Sequence, residues 1–64
     1  MKNMIKVERA RHDLTQAQLA EQLEISMQTV QAIETGKFNP SVTLALRMAR
    51  FFKVSVEYLF ILDD

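Results

Sequence analysis

The apolar residues that follow Thr15 recur with the period of a helix. Leu19, Ala20 and Leu23 are spaced at i, i+1 and i+4, so they share one side of a helix and are expected to face inward. Thr15 and Gln18 fit a capping box, in which the threonine oxygen accepts from a backbone N–H and the glutamine reaches back to the cap. The pattern predicts a helix that begins directly after Thr15.

A second helix is predicted after a very short interruption. Ser26 is a favourable N-cap residue, and Val30 and Ile33 mark the inward side of a helix that begins at Met27. Because the interruption is so short, the two helices are expected to cross steeply rather than lie side by side. The outward side of this helix, which is the third helix when the whole chain is counted, carries no charged residue. It consists of Gln28, Gln31, Ala32 and Thr35.

Three further helices are predicted, one before this pair and two after it. They cover residues 3 or 4 to 12, the stretch from Ser41 to about 52, and residues 56 to 60 behind the cap Ser55. Gly36 is the predicted left-handed stop of the third helix. Arg47 and Arg50 lie off the apolar stripe and are expected to be solvated. The remaining expected core residues are Ile5, Leu14, Val42, Ala45, Met48, Ala49, Phe52, Val54, Val56 and Leu59, with Leu44 and Leu46 flanking them.

Length and composition limit the protein class. A chain of 64 residues is expected to form one domain over residues 1–64, of marginal stability, because it buries only about 60% of its extended surface. The absence of cysteine excludes disulfides and thiolate metal sites, and the single histidine, His12, is expected at a helix end rather than in a metal site. The sequence has no apolar run long enough to span a membrane and no signal-peptide pattern. A soluble, cytoplasmic protein without a membrane partner is therefore expected.

The charges are unevenly distributed although the net charge is zero. Residues 27–53 carry a balance of +3, and the last eleven residues carry a balance of −3. This asymmetry suits a protein that turns one face toward phosphate and its C-terminal end away from it. Chance variation could also give so small a difference, and charge alone therefore does not identify the partner.

The outward side of the third helix has groups suited to reading base edges. A glutamine amide can hydrogen-bond adenine N6 and N7 together, and small apolar groups contact the thymine methyl. A solvated helix without a partner more often presents Lys and Glu on this side. A plain polar surface helix is the alternative, and these four residues alone do not decide between the two interpretations.

From Thr15 to Ser41 the chain is TQAQLAEQLEISMQTVQAIETGKFNPS. This pattern closely resembles the Cro and phage-repressor type of helix-turn-helix protein, also called the xenobiotic-response-element family. The resemblance covers nearly the whole chain and extends to the small stand-alone prokaryotic regulators. It implies an all-α, five-helix lambda-repressor-like DNA-binding domain with the helix-turn-helix at helices 2 and 3. In some relatives terminal strands also pair, which here would join residues 1–3 to residues 60–62.

The resemblance also implies roles for individual residues. An ion pair is expected between Arg9 and Glu34, and loss of one partner would leave a buried charge. The residues that match base-reading positions are Gln28, Gln31, Ala32 and Met27, and those that match phosphate-contacting positions are Gln16, Thr29, Thr35, Lys37 and Asn39. The family pattern implies no cofactor and no metal, and no small-molecule ligand site is evident.

Two residues depart from the pattern of the family. Close relatives very often carry arginine where this chain has Met27, and methionine cannot donate hydrogen bonds to guanine or phosphate. An apolar contact with thymine is the most that Met27 could offer, and a gap-filling role on the flank of the helix is the alternative. Glu8 occupies a position where relatives often have leucine or an aromatic residue, so the packing of the first helix is harder to predict.

The C-terminal end has more apolar surface than one small domain can easily bury. The side chains concerned are Phe51, Tyr58, Phe60, Ile61 and Leu62, of which the last four are the expected dimer interface. Twofold pairing would place two recognition helices on half-sites of a palindromic operator about 34 Å apart. A dimeric, sequence-specific repressor is therefore expected. An antitoxin-like protein-interaction module is the alternative, and an enzyme is discounted because no catalytic constellation is present.

Overall fold

The computed structural model describes residues 1–63, so Asp64, counted above in the acidic end, lies outside the described residues. The elements follow in the order β1 (Lys2–Asn3), α1 (Ile5–Arg11), α2 (Gln16–Leu23), α3 (Met27–Glu34), α4 (Val42–Phe52), α5 (Val56–Leu59) and β2 (Phe60–Ile61). The strands β1 and β2 pair antiparallel, with Lys2 opposite Ile61 and Asn3 opposite Phe60. The five-helix architecture and the terminal strand pair are both confirmed.

Hydroxyl side chains begin the four helices after α1. At α2 the capping box is complete, because Thr15 Oγ1 accepts from the Gln18 backbone N–H at 3.1 Å and Gln18 Oε1 accepts from the Thr15 N–H at 2.9 Å. Such caps satisfy backbone donors that the first helical turn leaves without partners. In the other three helices a serine hydroxyl oxygen accepts from the backbone N–H three residues later. These cap residues are Ser26, Ser41 and Ser55.

Three residues other than glycine adopt left-handed backbone angles, each at or just after the end of a helix. Asp13, Glu24 and Lys53 have φ angles of 58°, 59° and 59°. In each case the N–H of the following apolar residue reaches a carbonyl five positions back, at 2.9 to 3.0 Å, which is the Schellman arrangement. The apolar residues that these turns direct toward the core are Leu14, Ile25 and Val54.

The core includes all five helices. Its largest fully buried side chains are Ile5, Leu19, Ile33, Met48, Leu59 and Val30. On α4 the buried stripe begins at Leu44, whereas the expectation for Val42 is wrong because its side chain is 77% exposed. Side chains on a helix lean toward its N-terminus, and Val42, the first residue of α4, therefore projects past the edge of the core.

The C-terminal segment differs from the expected helix. The helix α5 ends at Leu59 because Phe60 adopts extended angles, with φ −124° and ψ 121°. The strand turns the Phe60 side chain into the core, where it is 8% exposed. The expectation that Phe60 stays uncovered is therefore wrong, whereas Tyr58, Ile61 and Leu62 are exposed.

Glu8 is a charged residue that lies in the core, with 3% of its surface exposed. The Tyr58 hydroxyl donates to Glu8 Oε2 at 2.7 Å, and Arg11 Nε lies 3.6 Å from the same oxygen. A carboxylate therefore occupies the place of an apolar residue because α5 supplies a donor and α1 supplies a cation. The hydrogen bond to Glu8, together with desolvation and the negative charge of Glu8, raises the pKa of Tyr58 above its ordinary value of 10.0.

The two ends of the chain are fastened together and to α3. The α-ammonium group of Met1 lies 2.9 Å from Asp63 Oδ2, and this contact is the main cause that lowers the pKa of Asp63. Asn3 donates from Nδ2 to the Ile33 carbonyl at 2.8 Å and accepts from the Ile5 N–H at 3.2 Å. The sheet of β1 and β2 therefore lies against the end of α3. No helix within residues 1–63 combines the length and apolar character needed to cross a membrane.

Tyr58 offers a direct test of the contact with Glu8, since the chain has one tyrosine and no tryptophan. We expect the absorbance of tyrosinate to titrate with a midpoint above 10.0, and Glu8→Leu to return the midpoint toward 10.0. Because folding raises this pKa, the contact stabilises the fold fully below pH 10.0 and is lost as the pH rises through the folded value. Glu57→Gln is the matched control and should leave the midpoint unchanged. A wild-type midpoint at or below 10.0 would contradict the assignment.

Candidate nucleic-acid interface

The outward face of α3 carries uncharged groups on a firmly anchored helix. Val30 and Ile33 are buried beneath it, while Gln28 and Gln31 are exposed and Ala32 is half-buried. Two amides and a methyl group are therefore presented from a helix whose inward side is buried in the core. Groups of this kind can form paired hydrogen bonds to a base edge and contact a thymine methyl.

The face continues from α3 onto the start of α2. Met27, the first residue of α3, is exposed and borders an open concavity of about 590 Å³. Within residues 1–63, no group accepts from the backbone N–H groups of Gln16 and Ala17, which also border this concavity. Free N–H groups at a helix N-terminus attract anions. The other lining residues are Arg9, Ala10, Asp13, Leu14 and Thr15.

Glu34, the last residue of α3, connects three helices. Arg9 of α1 donates from Nε to Glu34 Oε2 at 2.8 Å and from Nη2 to Oε1 at 3.3 Å. Gln16 of α2 donates from Nε2 to the same Oε1 at 3.1 Å. Arg9 also donates from Nη1 to the Leu14 carbonyl at 3.0 Å. The side chain of Glu34 is 6% exposed, so these donors replace nearly all of its contact with water.

Gln16 has a second role that the sequence did not indicate. The resemblance implies a phosphate contact, yet one amide N–H of Gln16 is already used by Glu34. A side-chain amide has two donors and an acceptor, so one N–H and the carbonyl oxygen remain for a ligand. The contact with Glu34 holds the amide at the edge of the concavity before any ligand arrives.

The remaining residues expected at phosphate lie along α3 and just beyond it. The Thr29 hydroxyl shares a hydrogen bond of 2.8 Å with Ser26, and Thr35 Oγ1 donates to the carbonyls of Gln31 and Ala32 at 3.0 and 3.2 Å. A phosphate only accepts hydrogen bonds, so the Thr29 hydroxyl can donate to one when Ser26 is the donor of the pair, and the Thr35 hydroxyl can do so when it turns away from the two carbonyls. Lys37 and Asn39 are exposed beyond Gly36, whose φ of 79° turns the chain after α3. Lys37 thus places a positive charge next to the uncharged face.

Two side chains that hold this region have no recognisable signal in the sequence. The bond from Asn3 to the Ile33 carbonyl spans 30 positions, and Arg47 donates from Nη2 to the Leu23 carbonyl at 2.8 Å across 24 positions. The first fastens the end of α3 and the second fastens the end of α2. The expectation that Arg47 is simply solvated is therefore incomplete, because its side chain caps α2.

The described residues show no metal centre. Within residues 1–63, no group of three or more His, Cys, Asp or Glu side chains is placed to hold an ion. His12 lies at the end of α1, where its Nδ1 is 2.9 Å from the Glu8 carbonyl and its ring centroid is 5.2 Å from that of Phe52. These contacts give the histidine a structural position at a helix end, as the sequence predicts.

Comparison with known proteins identifies relatives over the whole chain. The pattern of a family described as helix-turn-helix matches residues 5–59. An uncharacterized HTH-type transcriptional regulator of Methanocaldococcus jannaschii is 52% identical over 64 residues, covering all of this chain and 97% of the relative. The uncharacterized HTH-type transcriptional regulator YgzD of Bacillus subtilis is 41% identical over 64 residues, again covering 100% of this chain and 97% of the relative.

The Glu34 contacts predict a large effect from a single substitution. We expect Arg9→Met to lower the free energy of unfolding by roughly 3 kcal/mol, because it leaves a buried carboxylate with one amide donor. The double variant Arg9→Met/Glu34→Leu should recover most of this loss, because no buried charge then remains. Urea unfolding measures both effects.

Lys6→Met provides the control for this measurement, since Lys6 is exposed on the same helix. It should change the free energy of unfolding by less than about 0.5 kcal/mol. An equally small effect of Arg9→Met would show that the ion pair contributes little to the fold.

Proposed function

This chain belongs to the helix-turn-helix family, and from that premise we propose that it is a DNA-binding transcriptional regulator rather than an enzyme. We further propose that it binds double-stranded DNA sequence-specifically, as a homodimer, and represses transcription. As a binder of chromosomal DNA it would act in the cytoplasm. The names of its relatives support the regulatory role.

The observation that carries the proposal is the uncharged, exposed side of α3. Gln28 and Gln31 lie on a helix fixed from below by Val30 and Ile33, and no described element covers them. An α-helix fits the major groove, where each base pair has a distinct pattern of donors and acceptors. In this proposal Gln28, Gln31 and Ala32 read base edges, and Met27 provides an apolar contact.

A second group of residues would set the position of the domain on the duplex. The proposed phosphate contacts are the free N–H groups at the start of α2, the remaining donor of Gln16, and the charge of Lys37 beyond α3. Thr29, Thr35 and Asn39 would add hydrogen bonds. Contacts with phosphate fix register and orientation without choosing a sequence. Affinity is then expected to be modest and dependent on salt, because the chain has no net positive charge.

A homodimer would double the length of DNA that is read. Tyr58, Ile61 and Leu62 are exposed near the C-terminal end, and Leu62 is 75% exposed. These side chains come from α5, β2 and the residue after β2, and in this proposal they provide the apolar contacts with a second copy. A symmetric pair would address a palindromic operator with half-sites about 34 Å apart. Binding across a promoter would exclude polymerase, which makes repression the simplest outcome.

Two substitutions separate base reading from phosphate contact. We expect Gln28→Ala to change which sites are bound and to cost about 1 to 3 kcal/mol at sites that carry the recognised base. Lys37→Ala should weaken binding to all sequences similarly and reduce the slope of log affinity against log salt by about 1. Gel-shift titration with DNA selected from a random pool, at several salt concentrations, measures both. Uniform losses for Gln28→Ala on every sequence would remove it from base reading.

The proposed dimer interface can be tested separately from DNA binding. Leu62→Glu should raise the dissociation constant of the dimer at least tenfold, about 1.4 kcal/mol, because a charge replaces an apolar contact. Sedimentation velocity at micromolar concentration measures the change, and affinity for a full palindrome should fall more than affinity for a half-site. Val42→Glu is the control, since Val42 is equally apolar and exposed but lies on α4. A monomeric wild-type protein at this concentration would contradict the dimer.

A further inference from the structure

The outer side of α4 exposes apolar side chains that neither DNA reading nor the proposed dimer uses. Val42 is 77% exposed and Leu46 is 55% exposed, and the two lie one helical turn apart. Arg50 continues the same line one turn further along the helix. This side of α4 therefore passes from apolar to positively charged over two turns.

Two open grooves adjoin this line and share the same pair of arginines. One, of about 400 Å³, is lined by Thr43, Leu46, Arg47 and Arg50. The other, of about 260 Å³, is lined by Gln22, Leu23, Arg47, Arg50 and Phe51. Because they share Arg47 and Arg50, we treat them as one surface, called the α4 groove, that lies between α4 and the end of α2.

The charge of the α4 groove is not compensated within the described chain. No carboxylate lines either part of the groove, and no ion pair within residues 1–63 includes Arg47 or Arg50. Arg47 uses one N–H on the Leu23 carbonyl, which holds its guanidinium in place and leaves four donors. The groove therefore combines the exposed Leu46 with the held guanidinium group of Arg47 and the exposed one of Arg50, and Val42 adds apolar surface one turn before Leu46. Its chemical complement is a surface that is both apolar and acidic.

The position of the groove makes DNA a poor occupant. The expected phosphate contacts lie at the start of α2, along α3 and just beyond α3, and none of these residues lines the groove, which adjoins Leu23 at the other end of α2. Seven helical steps separate the two ends, which corresponds to about 10 Å. Phosphate binding also has no use for Val42 and Leu46. The proposed dimer surface on α5 and β2 belongs to different elements.

We propose that the α4 groove binds an acidic amphipathic helix of another protein. Apolar side chains of that helix would pack on Val42 and Leu46, and its carboxylates would pair with Arg47 and Arg50, where arginine can bind a carboxylate with two parallel hydrogen bonds. From Val42 to Arg50 the line spans eight helical steps, or about 12 Å, which suits a partner helix of about three turns. The proposal does not depend on DNA binding, and a partner held here would leave α3 free for the duplex.

The test uses a synthetic peptide as the probe. A fluorescein-labelled amphipathic peptide of about 14 residues, with leucine at i and i+4 and glutamate beside them, is titrated with the full-length protein and followed by anisotropy. We expect saturable binding that Leu46→Ala and Arg50→Glu each weaken roughly tenfold or more. Both substituted side chains are exposed, so both variants should stay folded, with only a small fall in the urea midpoint of Arg50→Glu because Arg50 lies in the last turn of α4. Lys6→Glu makes the same charge change as Arg50→Glu on α1 and should bind as the wild type does.

Several outcomes would overturn the proposal. A scrambled peptide of the same composition that binds equally well would show nonspecific attraction, and absence of binding by the ordered peptide would leave the groove without its stated partner. Unchanged affinity in Leu46→Ala and Arg50→Glu would place the peptide elsewhere. If Arg50→Glu weakens DNA binding to all sequences, the surface contacts phosphate. If Leu46→Ala dissociates the dimer in sedimentation, the groove belongs to self-association.

Discussion

The carboxylate of Glu34 is the interaction on which the arrangement of the helix-turn-helix depends. Glu34 is the last residue of α3, and its carboxylate accepts hydrogen bonds from Arg9 on α1 and Gln16 on α2. The Glu34 side chain is only 6% exposed. A buried charge has a low free energy only when its partners are in place, so the three helices are restricted to positions that satisfy it. The face of α3 is therefore fixed in the unbound chain, and the proposed binding of DNA would lose less conformational entropy than it would with a mobile helix.

Polar contacts between distant segments compensate for the small size of the core. Asn3 connects β1 to the end of α3, Arg47 connects α4 to the end of α2, and Tyr58 connects α5 to Glu8 on α1. Each places a side-chain donor on an acceptor that belongs to another element. A chain of this length buries a limited area of apolar surface, so such contacts restrict the relative positions of helices that hydrophobic burial alone would leave loosely defined.

Local features were predictable from the sequence, and contacts across the fold were not. Caps such as Thr15 depend on neighbouring residues alone, so they mark helix starts reliably. Val42 was misplaced because periodicity does not show where the core ends along a helix. Phe60 was misplaced because its strand depends on pairing with β1, more than 50 residues away. The position of Glu8 in the core could not be deduced because its donor, Tyr58, lies in α5. The exposure of the glutamines followed from α3 alone, but the link from Gln16 to Glu34 required the assembled helices.

The pairing of β1 with β2 brings the first and last described residues together beside the end of α3. The α-ammonium group of Met1 takes part in this closure through Asp63. A purification tag fused directly to Met1 would convert that ammonium into an uncharged amide and would add bulk next to the end of α3. Adjacent ends also suit circular permutation, since a short linker could join them and new ends could be opened in the loop between α3 and α4. Affinity assays on this molecule are therefore best made with an unmodified N-terminus.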